Sequence, residues 1–92
     1  MQLPAEMYKH YVERRKKDYD RLKLALDKNS VDEFKVVGHQ IKGNASSFGF
    51  GELASIGLRM EELSLSQISS LGPKILQDFK NWISFTENKF QT

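Results

Sequence analysis

The sequence predicts an all-α protein with the architecture of an up-down-up-down antiparallel four-helix bundle. Apolar residues recur every three or four positions in four separate segments, as they do along the buried face of an amphipathic helix. No segment alternates apolar and polar residues for long enough to form a strand, and the linking stretches are short. Because short links favour antiparallel neighbours, we expect one domain over residues 1–92 with helices at about 4–28, 30–48, 51–64 and 72–91.

The first helix is expected to run from about residue 4 to residue 28. Pro4 suits a first helical turn, and the Asn29-Ser30 pair ends the apolar pattern. The residues predicted to form the buried face are Tyr8, Tyr11, Val12, Tyr19, Leu22, Ala25 and Leu26. Arg15 falls inside this face, where we expect its alkyl stem to pack while the guanidinium reaches water.

The second helix is expected over about residues 30–48. Ser30 followed three residues later by Glu33 is the capping-box pattern, and Gly49 suits a left-handed helix stop. The apolar face contains Phe34, Val37, Ile41, Ala45 and Phe48. Gly38 is an unusual residue for mid-helix, and close packing on the first helix would explain it.

The third and fourth helices are expected over about residues 51–64 and 72–91. The apolar residues of the third are Leu53, Ile56, Met60 and Leu63. The polar stretch 64–70 is predicted to be a connection with one irregular turn, after which Gly72-Pro73 opens the fourth helix. The fourth helix is predicted to bury Ile75, Leu76, Phe79, Ile83, Thr86 and Phe90, and Trp82 with Phe85 would widen that buried face.

Composition excludes several classes of protein and site. The chain has 92 residues, of which 39% are hydrophobic, and this suits one small globular domain. No apolar run approaches the roughly 18 residues of a membrane span, and the N-terminus lacks a secretory apolar segment, so we expect a cytoplasmic protein. The chain has no cysteine and two histidines set far apart, so neither a disulfide nor a metal site is expected.

His39 is predicted to lie on the outward face of the second helix. At about 100° per residue its direction is about 160° from the centre of the apolar stripe, which excludes a place in the core. Gly43 lies one turn further on the same side, although a mid-helix glycine costs about 1 kcal/mol relative to alanine. The alternative is a surface histidine without a function. That alternative does not explain Gly43, whereas a glycine that leaves space beside a functional imidazole explains both residues.

The stretch HQIKGNASSFG, from His39 to Gly49, resembles the signature of histidine-containing phosphotransfer (HPt) domains. That signature has a histidine, a lysine-glycine pair three and four residues later, and then a hydrophobic residue and a glycine. The stretch Phe48-Gly49-Phe50, with Leu53 and Met60-Glu61 further on, is also similar to the phospho-accepting domain of chemotaxis histidine kinases. The resemblance spans Asp32 to Leu63, and the outer helices agree with it in length, phase and order.

The resemblance implies roles for three side chains. His39 corresponds to the residue that accepts and donates a phosphoryl group, and Lys42 to a lysine that offsets phosphate charge. Glu61 corresponds to a third-helix glutamate that accepts a hydrogen bond from the histidine ring and fixes its tautomer. The alternatives are a solvated helix lysine and a plain exposed glutamate beside Glu62. Leu58 stands where chemotaxis kinases often carry a second histidine, so their full hydrogen-bond network is not expected.

The resemblance also implies the partners. They are response-regulator receiver domains and a hybrid histidine kinase, which would dock on a face formed by Lys35, Val36, Gln40, Gly43 and Ser46. The receiver would supply Mg²⁺, so no cofactor is expected on this chain. The chain would be a phosphoryl carrier and kinase substrate rather than an enzyme with its own turnover. We expect a monomer that binds neither nucleic acid nor membrane.

Two other functions stay open at this point. A helical adaptor that has lost phosphotransfer would share the bundle, although the intact His39, Lys42 and Gly43 argue against that loss. A nucleic-acid-binding module is suggested by the basic run at residues 14–17. The net charge of +2 is low for that class, and acidic residues follow the run. His10 is assigned no role.

Overall fold

The computed structural model of the chain describes residues 3–90 and contains four α-helices: α1 (Ala5–Asp27), α2 (Val31–Ser47), α3 (Gly51–Glu61) and α4 (Ile68–Lys89). A short 3-10 helix over Leu65–Gln67 precedes α4. The described part of the chain contains no strand, so the predicted all-α class is confirmed. No helix within residues 3–90 is long and apolar enough to cross a membrane.

The helices pack as a bundle around one core. α2 packs along α3 and α1 along α4, while further contacts join α1 to α2 and α3 to α4. The largest fully buried side chains come from all four helices and from the α3–α4 link: Leu22, Phe34, Val37, Ile41, Leu53, Met60, Leu63, Ile68 and Phe79. Because full burial of such a side chain contributes about 1.5–3 kcal/mol, this core is the main source of the bundle's stability.

The start of α4 differs from the prediction. α4 begins at Ile68 instead of near residue 72, so the predicted end of the connection at residue 70 is wrong, while the 3-10 helix at Leu65–Gln67 corresponds to its predicted irregular turn. Ile68 is buried, and the Gln67 side chain accepts the backbone N–H of Ser64 at 3.2 Å. The burial of Ile68 and the capping hydrogen bond before it start the helix one turn earlier than predicted. Pro73 therefore lies inside α4 and does not open it.

The other helix ends lie near the predicted ones, with three differences in detail. α3 ends at Glu61 rather than near residue 64, because the chain leaves the helix for the link to α4. α4 ends at Lys89, and residue 91, the predicted end, lies outside the described residues. The predicted capping box of α2 is wrong: Ser30 makes no side-chain cap bond, since Glu33 pairs instead with Arg21 of α1.

Aromatic side chains fill one end of the bundle. The cluster consists of Tyr8, Tyr11, Phe48, Phe50, Trp82 and Phe90. The ring centroids of Tyr8 and Phe90 lie 4.6 Å apart in a stacked pair. Phe85, by contrast, is 72% exposed, so the predicted buried face that includes it is wrong. The reason is helical phase, because residue 85 points about 120° away from the centre of the buried residues of α4.

A buried polar network ties α1 to α2. Arg15 is 6% exposed, and its Nε donates to Oδ2 of Asp18 at 2.7 Å. The Tyr11 hydroxyl donates to Oδ1 of Asn44 at 2.5 Å, and the Arg15 guanidinium lies over the Tyr11 ring at 4.5 Å. The expectation that Arg15 reaches water is wrong, because Asp18 and the Tyr11 ring supply its partners inside the bundle. Burial raises the pKa of the Tyr11 hydroxyl.

Candidate functional site

His39 lies on the outward face of α2, as its phase predicts. Its side chain is 72% exposed, whereas Val37 and Ile41, two residues away on either side, are fully buried. This contrast follows from the helical step of about 100°, which turns residue 39 outward when residues 37 and 41 face the core. The imidazole therefore stands in solvent on a rigid helix, where a reactant has access to it.

The carboxylate of Glu61, the last residue of α3, joins His39 to Lys42. Nδ1 of His39 lies 2.6 Å from Oε2, and Nζ of Lys42 donates to Oε1 at 2.6 Å. Such short distances are expected where charged groups take part. Lys35 donates from Nζ to the backbone carbonyl of Glu61 at 3.0 Å, at a helix end where carbonyls lack helical partners. Three side chains of α2 thus meet one residue of α3.

The shared carboxylate is held in its ionised form. The Lys42 ammonium, and after it the His39 ring, lower the pKa of Glu61 below its ordinary value of 4.5. At neutral pH Glu61 is therefore a carboxylate, which only accepts hydrogen bonds. It follows that Nδ1 of His39 donates the proton in this contact, so that the uncharged form of the ring has its lone pair on Nε2. The site presents an exposed nucleophilic nitrogen.

The residues predicted to form a docking face lie together on the outside of α2. Lys35, Val36, Gln40, Gly43 and Ser46 are all exposed. A Cβ on Gly43 would meet nothing within 4 Å, so this glycine leaves open surface one turn from His39. The Ser46 hydroxyl is already engaged, because it donates to the backbone carbonyl of Lys42 at 3.2 Å.

Sequence reasoning missed part of the contact between α2 and α3. Gly38 packs on α3 and not on α1 as expected: a Cβ there would lie 2.6 Å from the backbone nitrogen of Glu61. Gly57 is its counterpart on α3, and its mid-helix position was the available signal. Leu58 is 41% exposed beside this contact, since it lies outside the phase of the buried residues of α3. Leu58 is thus an exposed apolar side chain on α3, next in sequence to Gly57 of this contact.

The basic run of α1 does not form one uniform positive surface. Arg15 is buried in the network described above, and Lys16 pairs with Glu13 at 3.2 Å and with Glu87 of α4. Arg14 is exposed, as is residue 17. Within residues 3–90, no group of three or more His, Asp or Glu side chains is arranged to hold a metal ion.

The comparisons with known proteins point to one family. Searches of curated proteins and of solved structures gave no match. The family model of the Hpt domain matches residues 6–87, from the first turn of α1 nearly to the end of α4. The matched range includes His39, Lys42 and Glu61. The chain therefore belongs to the Hpt domain family, whose members are phosphocarriers in the phosphotransfer reactions of two-component signalling.

Proposed function

We propose that His39 accepts a phosphoryl group from a receiver-domain aspartate, or from a kinase, and passes it to another receiver. The observation that carries this proposal is the contact of His39 Nδ1 with Glu61, which leaves Nε2 free on an exposed ring. Membership of the Hpt family supplies the reaction class. The chain acts as a relay component and kinase substrate, without turnover of its own.

The transfer is an in-line displacement at phosphorus. The Nε2 lone pair of His39 forms the nitrogen–phosphorus bond while the bond from phosphorus to the aspartyl oxygen breaks, and that oxygen keeps the electron pair as a carboxylate. Nδ1 keeps its proton. The positive charge that the ring gains is stabilised by the Glu61 carboxylate, whose Oε2 lies 2.6 Å from Nδ1. Transfer to the next receiver runs through the same steps in reverse.

Lys42 contributes positive charge beside the reacting ring. Its Nζ is bonded to Glu61 Oε1, one helical turn from His39, and its side chain is 41% exposed. A phosphoryl group on Nε2 brings negative charge to this surface, and the ammonium offsets it. As a flexible point charge, Lys42 assists the transfer without fixing its geometry. The Mg²⁺ belongs to the receiver, and this chain has no cofactor of its own.

Receivers and the kinase dock on the exposed face of α2 around His39. Val36 and Leu58, which are 47% and 41% exposed, stand three residues before His39 and Glu61 respectively. They offer apolar surface on both helices of the site, while Gly43 leaves room for an approaching protein. Gln40 and the Lys35 stem widen this face. We expect the chain to act as a cytoplasmic monomer whose partners are proteins.

We further infer the up-down-up-down antiparallel order of the helices within one domain over residues 1–92. This order is supported at the site, where Gly38 approaches Glu61 while Lys42 approaches Gly57, so residue numbers run in opposite directions along α2 and α3. α1 and α4 follow the same rule in two aromatic pairs, Tyr8 with Phe90 and Tyr19 with Phe79.

Phosphoramidate, a small phosphoryl donor, tests the acceptor without a cognate partner. The parent protein should gain one phosphoryl group that is labile in acid and that mass spectrometry maps to His39. The His39→Gln variant should gain none, whereas the His10→Gln control should label like the parent. A panel of phosphorylated receivers then tests the relay in the same three proteins. Labelling of His39→Gln, or a parent that no donor labels, overturns the proposal and favours an adaptor.

A further inference from the structure

Two mid-helix glycines allow the backbones of α2 and α3 to approach closely. A Cβ on Gly38 would lie 2.6 Å from the backbone nitrogen of Glu61 and 2.6 Å from the carbonyl oxygen of Gly57. A Cβ on Gly57 would lie 2.8 Å from the backbone nitrogen of Lys42 and 2.9 Å from the carbonyl oxygen of Gly38. Backbone atoms in a packed helix do not move aside as a flexible side chain does. Neither glycine has a positive φ, so neither is required for a left-handed backbone conformation. Both are required because the two helices lie too close together for a side chain at these positions.

This close approach involves the same residues that form the candidate site. Gly38 directly precedes His39, and one of its nearest neighbours is the backbone of Glu61. An ordinary Cβ contact is 3.4 Å or longer, so an alanine at position 38 would require α3 to withdraw by about 0.8 Å. The distance from His39 Nδ1 to Glu61 Oε2, now 2.6 Å, would then grow to about 3.4 Å, beyond the usual 2.7–3.2 Å of an N–H···O bond, so this bond would weaken. The long, flexible side chain of Lys42 is able to follow Glu61 as it moves. The side chain of His39 has only two rotatable torsions and cannot follow it in the same way.

We propose that Gly38 and Gly57 are positioning residues: they set the distance from Nδ1 of His39 to the Glu61 carboxylate, and thereby hold the ring in the tautomer that leaves Nε2 free. The inference deepens the proposed function of His39 and rests on it. The glycines act through Glu61 and do not touch the reacting atoms. Their expected effect therefore disappears when Glu61 is absent.

Gly72 provides a matched control. It is a buried glycine inside α4, and a Cβ there would lie 2.8 Å from Cδ1 of Leu26, the far end of a flexible side chain. Its remaining neighbours within 4 Å are Ile68 and Phe34, not His39, Lys42 or Glu61. Gly72→Ala therefore imposes a similar crowding of the bundle without separating α2 from α3.

The test compares Gly38→Ala, Gly57→Ala and Gly72→Ala with the parent by two measurements. Nitrogen-15 NMR of the neutral His39 ring reports the tautomer: the parent and Gly72→Ala should show the proton on Nδ1, and the other two variants a mixture. The rate of labelling by phosphoramidate should fall about tenfold or more in Gly38→Ala, because small misplacements of reacting groups carry large rate costs. The fall should be smaller in Gly57→Ala, where the closest approach is 2.8 Å instead of 2.6 Å.

A double-mutant cycle identifies the route of the effect. Gly38→Ala combined with Glu61→Ala should label no more slowly than Glu61→Ala alone, since the glycine acts through that carboxylate. A parent-like tautomer and rate in Gly38→Ala overturn the proposal, as does an additive effect in the cycle. Circular dichroism checks folding. If neither Gly38→Ala nor Gly57→Ala folds, the close contact of α2 with α3 serves the fold alone, and the proposal is overturned as well. The NMR comparison needs no phosphoryl donor, so failure of the proposed function is seen separately as an unlabelled parent.

Discussion

Nδ1 of His39 lies 2.6 Å from Oε2 of Glu61, although 22 residues separate the two in the chain. One residue belongs to the middle of α2, and the other is the last residue of α3. The contact makes the imidazole asymmetric, because one nitrogen is bonded to the protein while the other faces solvent. A phosphoryl acceptor needs one free nitrogen, so this pair is the structural basis of the proposed relay.

His39→Gln should abolish phosphoryl transfer without harming the fold. The His39 side chain is 72% exposed, so its replacement leaves no cavity, and surface changes of this kind alter stability by no more than about 0.5 kcal/mol. Thermal melts of the parent and the variant should therefore coincide within a few degrees. A large drop in melting temperature would show that the ring has a structural role.

Lys42→Ala should slow transfer without abolishing it. An exposed charge interaction is worth up to about 1 kcal/mol, which corresponds to a roughly fivefold change in rate. The lifetime of the phosphorylated protein should shorten as well, because the ammonium no longer offsets the phosphoryl charge. Lys80→Ala, on the exposed face of α4, is the matched control. Equal rates and lifetimes in both variants would return Lys42 to the role of a solvated surface lysine.

At Gly43, stability and transfer should respond in opposite directions. Gly43→Ala should raise the free energy of unfolding by somewhat less than 1 kcal/mol, because alanine favours the helix. A Cβ there meets nothing within 4 Å, so no strain offsets this gain. Gly43→Gln should slow transfer from a receiver much more than labelling by phosphoramidate, since a small donor needs less room. Equal slowing by both donors would contradict a docking role for this position.

The contribution of Glu61 to stability should depend on pH in the acid range. Lys42, and after it His39, hold the pKa of Glu61 below 4.5 in the folded protein. A lowered folded-state pKa stabilises the fold fully above the unfolded-state value, and this stabilisation is lost as the pH falls through the folded-state pKa. The difference in melting temperature between the parent and Glu61→Gln should therefore be largest at neutral pH and should shrink below pH 4.5.

Comparison with a neighbouring variant isolates this effect. Arg59, and after it Lys74, also lower the pKa of Asp78, so acid destabilises the parent through more than one carboxylate. Glu62→Gln changes an exposed glutamate next to the site and serves as the control. If Glu61→Gln and Glu62→Gln melt alike at every pH, the ion pair of Glu61 contributes nothing to stability.

Tyr11→Phe should destabilise the protein by about 1 kcal/mol, the usual net value of one hydrogen bond. The substitution keeps the buried ring but removes the hydroxyl that donates to Asn44 Oδ1 at 2.5 Å. Urea unfolding measures the loss. Tyr8→Phe is the control, because its ring stacks on Phe90 and its hydroxyl lies outside this network. Equal stability of the two variants would show that the bond from Tyr11 to Asn44 contributes little.

The helix content, most of the buried faces and the outward direction of His39 were determined by the sequence alone. These properties follow from helical phase, which is local: once Val37 and Ile41 face the core, His39 must point away from it. The spacing from His39 to Gly43 is local for the same reason. The start of α4 was mispredicted because polar residues around Ile68 concealed its single buried anchor.

Only the tertiary structure decided which residues meet across helices. The bond from His39 to Glu61 depends on the distance and rotation between α2 and α3, and the packing of both helices against the whole core sets these quantities. The sequence did not determine which helix Gly38 packs against, and the structure places Gly57 of α3 opposite it. The guanidinium of Arg15 was expected to reach water, but the packing of α1 on α2 buries it and brings its Nη1 to 3.4 Å from Oδ1 of Asn44, 29 residues away. Helical phase gives the direction of a side chain, but the partner it meets is a result of how the helices pack.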